Sequence, residues 1–545
     1  MESKNFAGQE WWRGAIIYQI YPRSFQDSND DGIGDLNGII KRLPYLASLG
    51  VNAIWISPFF TSPMKDMGYD ISDYCDVDPI FGTLDDFDNL LNAAHELGLK
   101  VMIDLVLSHT SDQHPWFIES RQSLENSKSD WYVWSKPKLD GTPPNNWLSM
   151  FGGSAWQWDN RRLQYYLHNF LASQPDLNLH NPAVQDALLN VVRFWLDRGV
   201  DGFRLDTINF YFHDKQLRNN PALPVAKRND SSAPKVNPYN HQEHLYSKNR
   251  PENLAFLTRF RALLDTYDAR TSLGEIGDAQ RGLEILGQYT AGNTRVHMCY
   301  VFELLQAQQA TPDFIQKVFS KIADVAADGW ICWMFSNHDV TRHASRWNLT
   351  NKGVRMYATL LMCLRGSVCI YQGEELGLHE VDVPFENLQD PYGIKFWPKY
   401  KGRDGCRTPM VWEKHSTNAG FSNGTPWLPI SSDQSQRAVS VQEEDDDSVL
   451  QHYRHIIALR RTYPALAWGN IQFFESGDTV LCFTRQYNDE TIFCLFNMSD
   501  TDANANLPTG KWQNIGQDIG SSGILASEPI YLHAWQTVIA IKTGD

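Results

Sequence analysis

Eight short apolar runs, rich in β-branched residues, recur along the chain, and each ends in polar or turn residues. Such runs are typical of buried strands. In order they are AIIYQIYP from Ala15, NAIWISP from Asn52, KVMIDLVLSH from Lys100, GFRLD from Gly202, TSLGEI from Thr271, HMCYVFELL from His297, ICWMFSN from Ile331 and SVCIYQG from Ser367. Stretches with helical periodicity, such as LNGIIKRLPYLASLG, lie between several of them. The alternation predicts an α/β fold in which eight parallel strands form a barrel inside a ring of helices.

Two segments are too long to be simple connections between a strand and its helix. Residues 107–174, rich in Trp, Pro and Gly, predict a small inserted domain after the third strand. Residues 211–250 are polar and predict a long irregular loop over the barrel mouth, with plain surface disorder as the alternative. The barrel then comprises residues 1–106 and 175–467, and the short alternating runs of residues 468–545 predict a C-terminal antiparallel β-sandwich domain.

The charge and composition of the chain limit its partners. With 48 basic and 64 acidic side chains the formal charge is −16, which repels nucleic acid. The first 14 residues contain neither a basic region followed by an apolar one nor a long apolar run, so we expect no export and no membrane. The eight cysteines form no CxxC pairs, and we expect free thiols in a reducing cytoplasm. Trp and Tyr in polar segments suit stacking on a small flat ligand such as a sugar.

Three acids stand at or near the ends of predicted strands. Asp206 lies in GFRLDTINF, Glu275 in SLGEIGD and Asp339 in FSNHDV. Because the carboxyl ends of barrel strands meet at one rim, these carboxylates are expected to share a pocket. The alternative for each acid alone is a helix cap or a solvated surface acid.

Several motifs of the chain resemble those of the α-amylase superfamily (glycoside hydrolase family 13), and within it the α-glucosidase and oligo-1,6-glucosidase group. They occur in the same order as in that family. The resemblance runs from YQIYPRSF at Tyr18 through DLVLSH, QPDLN at Gln174, GFRLD and NHD to RTPMVW at Arg407. It implies a (β/α)8 TIM barrel with a small domain inserted after the third strand and a C-terminal β domain. It also implies a retaining enzyme that uses two carboxyl groups about 5 Å apart.

The resemblance assigns a role to each acid. Asp206 is expected to be the nucleophile, and Glu275 the general acid and then base. Asp339 would stabilise the distorted sugar and help to raise the pKa of Glu275 by like-charge repulsion. Arg204 lies two positions before Asp206 and so on the same strand face, from which it can hold the nucleophile ionised.

Further residues are expected to bind the terminal glucose. By resemblance Asp66 pairs with Arg407 to grip the non-reducing end, and Tyr69 stacks on the ring; a surface salt bridge is the alternative. His109 and His338 would bind hydroxyls of the first glucose, although a histidine at such a position is ordinarily a satisfied core residue. Further candidates for the pocket wall, for which core packing is the alternative, are Phe151, Phe170, Gln174 and Phe302.

The residue after the nucleophile bears on linkage preference. In the resembling group it is typically valine in enzymes that favour α-1,6 bonds, and threonine or alanine in those that favour α-1,4 bonds. This chain has Thr207. We therefore expect an exo-acting α-glucosidase that releases glucose from short α-1,4-linked glucosides such as maltose, with transglucosylation through the same covalent intermediate.

Other functions remain open on the same scaffold. An oligo-1,6-glucosidase, or an enzyme that isomerises sucrose or maltose by glucosyl transfer, would need the same acids. A non-catalytic binding relative is disfavoured because Asp206, Glu275 and Asp339 are all present. A metal-dependent hydrolase is disfavoured because no HxH or HExxH cluster occurs.

The segment DSNDDGIGD places oxygen ligands at alternate positions, as in an EF-hand loop. The candidate ligands are Asp27, Asn29, Asp31, the carbonyl of Ile33, and Asp35. The twelfth position is Gly38 and not Glu, so the loop is not a full EF-hand. The resemblance implies a structural divalent cation, Ca2+ or Mg2+, remote from the chemistry; an Asx-rich turn without a metal is the alternative. No organic cofactor is expected.

Overall fold

The computed structural model describes residues 10–228, 233–278, 280–326, 328–516, 524–525 and 529–544. Within these residues, eight parallel strands form the central sheet. They are β1 (Ile16–Ile20), β2 (Ala53–Ile56), β3 (Lys100–Leu105), β4 (Gly202–Leu205), β5 (Thr271–Ile276), β6 (Met298–Val301), β7 (Cys332–Trp333) and β8 (Ser367–Tyr371). Each coincides with one of the eight apolar runs.

The sheet closes on itself. Its order is β6-β5-β4-β3-β2-β1-β8-β7, and a parallel bridge between Cys299 and Ile331 joins β6 to the start of β7. The predicted eight-stranded barrel is thereby confirmed.

Side chains alternate between the two faces of the barrel strands. Ile54 and Ile56 of β2 belong to the large apolar cluster that also holds the surrounding helices, whereas Ala53 and Trp55 belong to a second cluster with Met102 and Leu273. This period of two is the strand periodicity. The second cluster fills the barrel interior, on which the acidic rim residues rest.

Helices follow the barrel strands, and short polar residues start several of them. Asp35, Asn181, Thr311, Thr350 and Ser448 each accept a backbone hydrogen bond as N-cap residues. The α-helices are Leu36–Leu49, Leu84–Glu96, Pro115–Ser120, Pro182–Asp197, Asn253–Leu264, Gly282–Thr290, Phe302–Gln306, Pro312–Val325, His343–Arg346, Asn351–Cys363, Pro391–Phe396, Ser432–Ser435, Val439–Glu443, Val449–Thr462 and Pro464–Trp468. Short 3-10 helices are Pro22–Ser24, Ile208–Phe210, Val225–Lys227, Pro238–His241, Ala291–Asn293, Glu374–Leu376, Phe385–Asn387, Asp404–Cys406 and Thr417–Gly420.

The remaining strands form smaller antiparallel sheets. After β2, Phe60–Thr61 pairs with Asp73–Val77. Residues 107–174 contain a three-stranded sheet of Trp134–Ser135, Trp156–Asp159 and Gln164–Leu167. The C-terminal strands are Asn470–Phe474, Val480–Tyr487, Glu490–Asn497, Ala503–Ala505, Lys511–Asn514, Ile524–Leu525, Ile530–Leu532 and Thr537–Gly544. They give the C-terminal antiparallel domain that the sequence predicts; the domain boundaries themselves stay predictions.

Among the described residues, no helix has the length and apolar character needed to cross a membrane. All eight cysteines are free, and all except Cys75 are buried.

Candidate active site

The three predicted acids meet at the carboxyl-terminal rim of the barrel. Asp206 directly follows β4, Glu275 lies near the end of β5, and Asp339 follows β7. All three line one cavity of about 330 Å³. The parallel strands therefore bring together side chains that are far apart in sequence.

Arg204 of β4 is fully buried and holds two of these acids. Its Nη1 donates to Asp206 Oδ1 at 2.7 Å, and its Nη2 donates to Glu275 Oε2 at 2.6 Å. Nη1 also donates to Asp104 Oδ1 at 2.7 Å, because the register of β3 and β4 sets Asp104 beside Arg204. Nη2 reaches the Tyr300 hydroxyl at 2.7 Å. The expected contact between Arg204 and Asp206 is thus present, and the same guanidinium group also holds Glu275.

Thr207 links the same two carboxyl groups from the other side. Its backbone N–H donates to Glu275 Oε2 at 3.1 Å, and its hydroxyl donates to Asp206 Oδ2 at 3.0 Å. Its φ of 38° and ψ of 50° are left-handed, which is strained for a β-branched residue. The strained turn places the N–H of Thr207 against the Glu275 carboxyl group.

Burial sets the protonation of these acids. Burial raises the pKa of Asp206 to about 6, against the lowering effect of the Arg204 charge. It raises the pKa of Glu275 to about 7, opposed by Arg204 and reinforced by the charges of Asp206 and Asp339. Burial would also raise the pKa of Asp339, but His338, Arg403 and Arg407 hold it well below its usual range. Among these carboxyl groups, Glu275 is therefore the one that keeps its proton to the highest pH.

Arg403 forms a second charged cluster on the cavity wall. Its Nη2 donates to Asp66 Oδ1 at 2.9 Å, and its Nη1 donates to Asp339 Oδ1 at 3.1 Å. Asp390 anchors the same guanidinium through contacts of 2.8 and 3.1 Å. The guanidinium carbon lies 5.0 Å from the centre of the Phe151 ring. One arginine therefore joins the loop after β2 to the loops after β7 and β8.

The prediction that Asp66 pairs with Arg407 is wrong, because the arginine that contacts Asp66 is Arg403. Arg407 donates from Nη2 to Asp339 Oδ1 at 2.9 Å and from Nε to the His338 carbonyl at 2.7 Å. Arg403, four residues earlier in the same GRDGCRTP segment, takes the predicted place beside Asp66. The short 3-10 helix Asp404–Cys406 separates the two arginines: both contact Asp339, but only Arg403 also contacts Asp66.

His338 and Tyr69 form a hydrogen-bonded chain to Asp104. Gln19 donates to His338 Nδ1 at 2.7 Å, so Nε2 carries the proton and donates to the Tyr69 hydroxyl, also at 2.7 Å. That hydroxyl in turn donates to Asp104 Oδ2 at 3.0 Å. The rings of Tyr69 and His338 are parallel within 4° at 5.3 Å between centres. Burial lowers the pKa of His338 to about 3, which keeps the ring neutral.

His109 and Gln174 lie beside the loop segment that carries Asp66 and Tyr69. His109 Nε2 lies 3.1 Å from the Tyr69 carbonyl and 3.2 Å from the Gln174 side-chain nitrogen, which donates to Asp66 Oδ2 at 3.0 Å. Burial lowers the pKa of His109 to about 4. Both predicted histidines are thus neutral groups.

The cavity collects most of the predicted residues. Besides the three acids, its lining includes Asp66, Tyr69, His109, Phe151, Phe170, Gln174, Thr207 and Phe302. The three remaining predicted residues do not line it. Arg204, His338 and Arg407 are buried behind the wall, where each contacts groups that do.

The cavity lining also includes residues that the sequence does not mark as candidates. They are Met150, Phe210, Ala233, Pro234, Gly277, Leu305, Gln306, Gln308, Val340, Thr341, Arg346, Tyr392, Tyr400, Gly402 and Arg403. Many belong to loops, where no strand period marks the direction of a side chain. For Arg403, the one signal in the sequence is its position four residues before the arginine of the RTP motif.

The segment 211–250 reaches the cavity. Ala233 and Pro234 line it, and Asn237 donates to the Met150 carbonyl at 2.7 Å and to the Tyr392 hydroxyl at 2.9 Å. Residues 233–237 of this segment therefore lie at the barrel mouth, between the inserted segment and the loop after β8. Residues 229–232 lie outside the described residues.

The predicted metal loop is a chain of Asx turns. The side chains of Asp27, Asn29 and Asp31 each accept from the backbone N–H two residues later, at 2.9, 3.0 and 2.8 Å, the last from Ile33. Asp35 Oδ1 caps the helix Leu36–Leu49. Gly32 has a φ of +89°, as the turn requires. Within the described residues no group of three His, Cys, Asp or Glu side chains is placed to hold a metal ion. The hydrogen bonds are those of the Asx-rich alternative, and the purely oxygen donor set suits a hard cation.

Comparison with known proteins decides the family. Residues 19–469 match the model of the alpha amylase catalytic domain, and residues 471–516 match that of the maltogenic amylase C-terminal domain. The chain belongs to the α-amylase family. This α-amylase family chain is 63% identical, over 98% of its length and 97% of the relative's, to a probable alpha-glucosidase of Rhizobium meliloti. It is 37% identical to an oligo-1,6-glucosidase of Heyndrickxia coagulans, over 92% of this chain and 95% of that protein.

Solved structures agree with this grouping. The crystal structure of an alpha-glucosyl transfer enzyme has a TM-score of 0.94 at 54% identity, covering 98% of this chain and 99% of that one. The trehalulose synthase MutB of Pseudomonas mesoacidophila has a TM-score of 0.88 at 31% identity, covering 98% and 99%. The α-amylase family chain is thus an enzyme of the α-glucosidase and oligo-1,6-glucosidase group of glycoside hydrolases.

Proposed function

We propose that the protein is a retaining, exo-acting α-glucosidase that releases glucose from the non-reducing end of short α-1,4-linked glucosides such as maltose. One observation carries the proposal: a single buried guanidinium group, that of Arg204, holds both Asp206 and Glu275. Carboxyl groups on neighbouring nitrogens of one guanidinium are close together, which suits a double displacement. An inverting enzyme needs a wider gap to accommodate a water molecule.

The two carboxyl groups differ in the way that this reaction requires. Asp206, with the lower pKa and bonds from Arg204 and Thr207, is the nucleophile that attacks the anomeric carbon. Glu275, with the higher pKa, donates its proton to the departing glycosidic oxygen. A water or a sugar hydroxyl then gives its proton to Glu275 and displaces Asp206 from the covalent intermediate. Asp339, held ionised, offers its carboxylate to the hydroxyls of the distorted ring.

The charged cluster around Arg403 supports action on chain ends. Asp66, Asp339 and Arg403 line the cavity together and are joined by hydrogen bonds of 2.9 and 3.1 Å. Such a fixed, bidentate arrangement can hold the hydroxyls of one terminal glucose and blocks continuation of the sugar chain at that end.

Thr207 supports the α-1,4 linkage, and the relatives support glucosyl transfer as a second outcome. The side chain of Thr207 lines the cavity beside the nucleophile, where valine is typical of α-1,6 enzymes. The likeness to the 54% identical alpha-glucosyl transfer enzyme supports glucosyl transfer to acceptor hydroxyls as a second outcome of this protein beside hydrolysis. Because other relatives are an oligo-1,6-glucosidase and a trehalulose synthase, α-1,6 cleavage and sucrose isomerisation are the alternatives to the proposed function.

Product analysis on maltose, isomaltose, sucrose and maltotetraose tests this function. We expect maltose to be cleaved faster than isomaltose, glucose to be the first product from maltotetraose, and α-glucose to appear first by NMR. Initial β-glucose would overturn the retaining mechanism. Faster cleavage of isomaltose would overturn the linkage assignment, and trehalulose or isomaltulose from sucrose would identify an isomerase.

We also propose that the loop of Asp27, Asn29, Asp31, Ile33 and Asp35 binds Ca2+ or Mg2+ in a structural role. The support is the purely oxygen donor set at alternate positions of one turn. We expect a chelator to lower the melting temperature of the wild-type protein by several degrees, and to have little effect on the Asp31→Asn variant. A wild-type melting temperature that does not respond to chelation would contradict the proposal.

A cytoplasmic location is proposed from the eight free cysteines. Cell fractionation with an activity assay tests it, and activity confined to the periplasm or medium would contradict it.

A further inference from the structure

The backbone just beyond the catalytic acid is held by its own set of hydrogen bonds. Gly277, two residues after Glu275, also lines the cavity. Its N–H donates to Asn209 Oδ1 at 3.0 Å, and its carbonyl accepts from Lys248 Nζ at 2.8 Å. A Cβ at Gly277 would lie 3.4 Å from the Phe210 ring, in ordinary van der Waals contact. Both polar groups of the Gly277 backbone are thus fixed.

Lys248 is an unusual residue for this place. Its side chain is only 3% exposed, and burying a lysine is unfavourable unless it finds a partner. Its Nζ lies 3.4 Å from Asp278 Oδ2 and 5.1 Å from the centre of the Phe210 ring. Lys248 does not line the catalytic cavity; it faces a separate small cavity of about 60 Å³ behind it. It therefore cannot act on the substrate directly.

Asn249 extends the same network to the nucleophile turn. Its side-chain nitrogen donates to Asp278 Oδ2 at 2.7 Å, and its side-chain oxygen accepts from Asn209 at 2.8 Å. Its backbone N–H donates to the Asn209 carbonyl at 2.7 Å. Asn209 lies three residues after Asp206. Lys248 and Asn249, at the end of the 211–250 segment, thus join the turn that carries the nucleophile to the strand end that carries the acid.

We propose that Lys248 is a positioning residue for Glu275: by holding the Gly277 carbonyl it fixes the end of β5, and with Asn249 it links the 211–250 segment to proton donation. The inference rests on the proposed role of Glu275 as general acid. A displacement of about 1 Å in a reacting group can cost about 100-fold in rate. Proton donation matters most when the leaving group is poor, so a misplaced acid has a recognisable kinetic signature.

The test compares two substrates that differ in their need for the acid. Maltose has a poor leaving group, whereas a 2,4-dinitrophenyl α-glucoside releases a phenolate that needs no proton. For Lys248→Met we expect kcat/KM to fall by about 10- to 100-fold on maltose and by less than about 3-fold on the aryl glucoside. Lys215→Met, at an exposed lysine of the same segment, is the matched control and should change neither. Lys248→Arg keeps a donor and should recover part of the activity on maltose.

A second variant guards against loss of folding. Asn249 has a φ of +58°, so Asn249→Gly removes its side chain while the backbone keeps its conformation. We expect the same selective loss on maltose, in smaller degree. The inference would be overturned if a folded variant, Lys248→Met or Asn249→Gly, lost kcat/KM equally on both substrates. It would also be overturned if that variant lost kcat/KM on neither substrate. Failure of the proposed function would be separate, because the wild-type protein would then release little or no glucose from maltose.

Discussion

At the scale of single residues, the active site depends on one arginine that serves three acids. Arg204 contacts Asp104, Asp206 and Glu275, and burial raises the pKa of all three. A single positive charge cannot stabilise three buried carboxylates, so the group retains protons to a higher pH than isolated acids would. The positions of these protons belong to the cluster as a whole.

The activity should follow a bell-shaped pH profile. The nucleophile Asp206 must be ionised, so kcat/KM falls as the pH drops below a value near 6. The acid Glu275 must be protonated, so kcat/KM falls as the pH rises above a value near 7. With a 2,4-dinitrophenyl α-glucoside the alkaline limb should weaken, because its leaving group needs no proton. A profile on maltose that stays flat from pH 5 to pH 9 would contradict this assignment.

At the scale of elements, the sequence predicted strands well and loops poorly. Each of the eight apolar runs is a barrel strand, because a buried parallel strand requires a continuous apolar stretch that is visible in the sequence. The strand ends then located Asp206, Glu275 and His109. A loop has no such period, so the sequence could not show that Arg403 and not Arg407 meets Asp66, or that Tyr392 and Tyr400 line the cavity. These contacts depend on how the loop after β8 folds across the rim.

Substitution of Arg403 tests the cluster on that loop. Arg403→Lys keeps the charge but loses the fork that contacts Asp66, Asp339 and Asp390 together. We expect kcat/KM to fall by about 100-fold or more, in equal measure on maltose and maltotetraose, because both place the same terminal glucose there. Lys401→Ala, at a half-exposed lysine nearby, is the control and should change little. An Arg403→Lys enzyme as active as this control would show that the cluster does not bind the sugar.

At the scale of the whole molecule, the barrel supplies the reacting acids and the long connections supply the pocket. Phe151 and Phe170 come from the inserted segment, Pro234 from the 211–250 segment, and Tyr392 from the loop after β8. No described residue beyond 403 lines the cavity. The C-terminal sheet instead packs on the barrel, where the buried Arg485 donates to the carbonyl of Cys363 at 2.5 Å and that of Leu466 at 2.7 Å. Substrate preference is therefore expected to vary with the connections, and the chemistry to stay with the strands.

In the proposed mechanism Asp206 forms the covalent bond to glucose while Glu275 transfers the proton. Trapping the intermediate with 5-fluoro-α-glucosyl fluoride, digesting the protein and locating the label by mass spectrometry tests these two roles. We expect a single fluoroglucosyl ester on Asp206, in the peptide that contains GFRLDTINF. A label on Glu275 or Asp339, or an enzyme that turns over without any trapped ester and releases β-glucose, would contradict it.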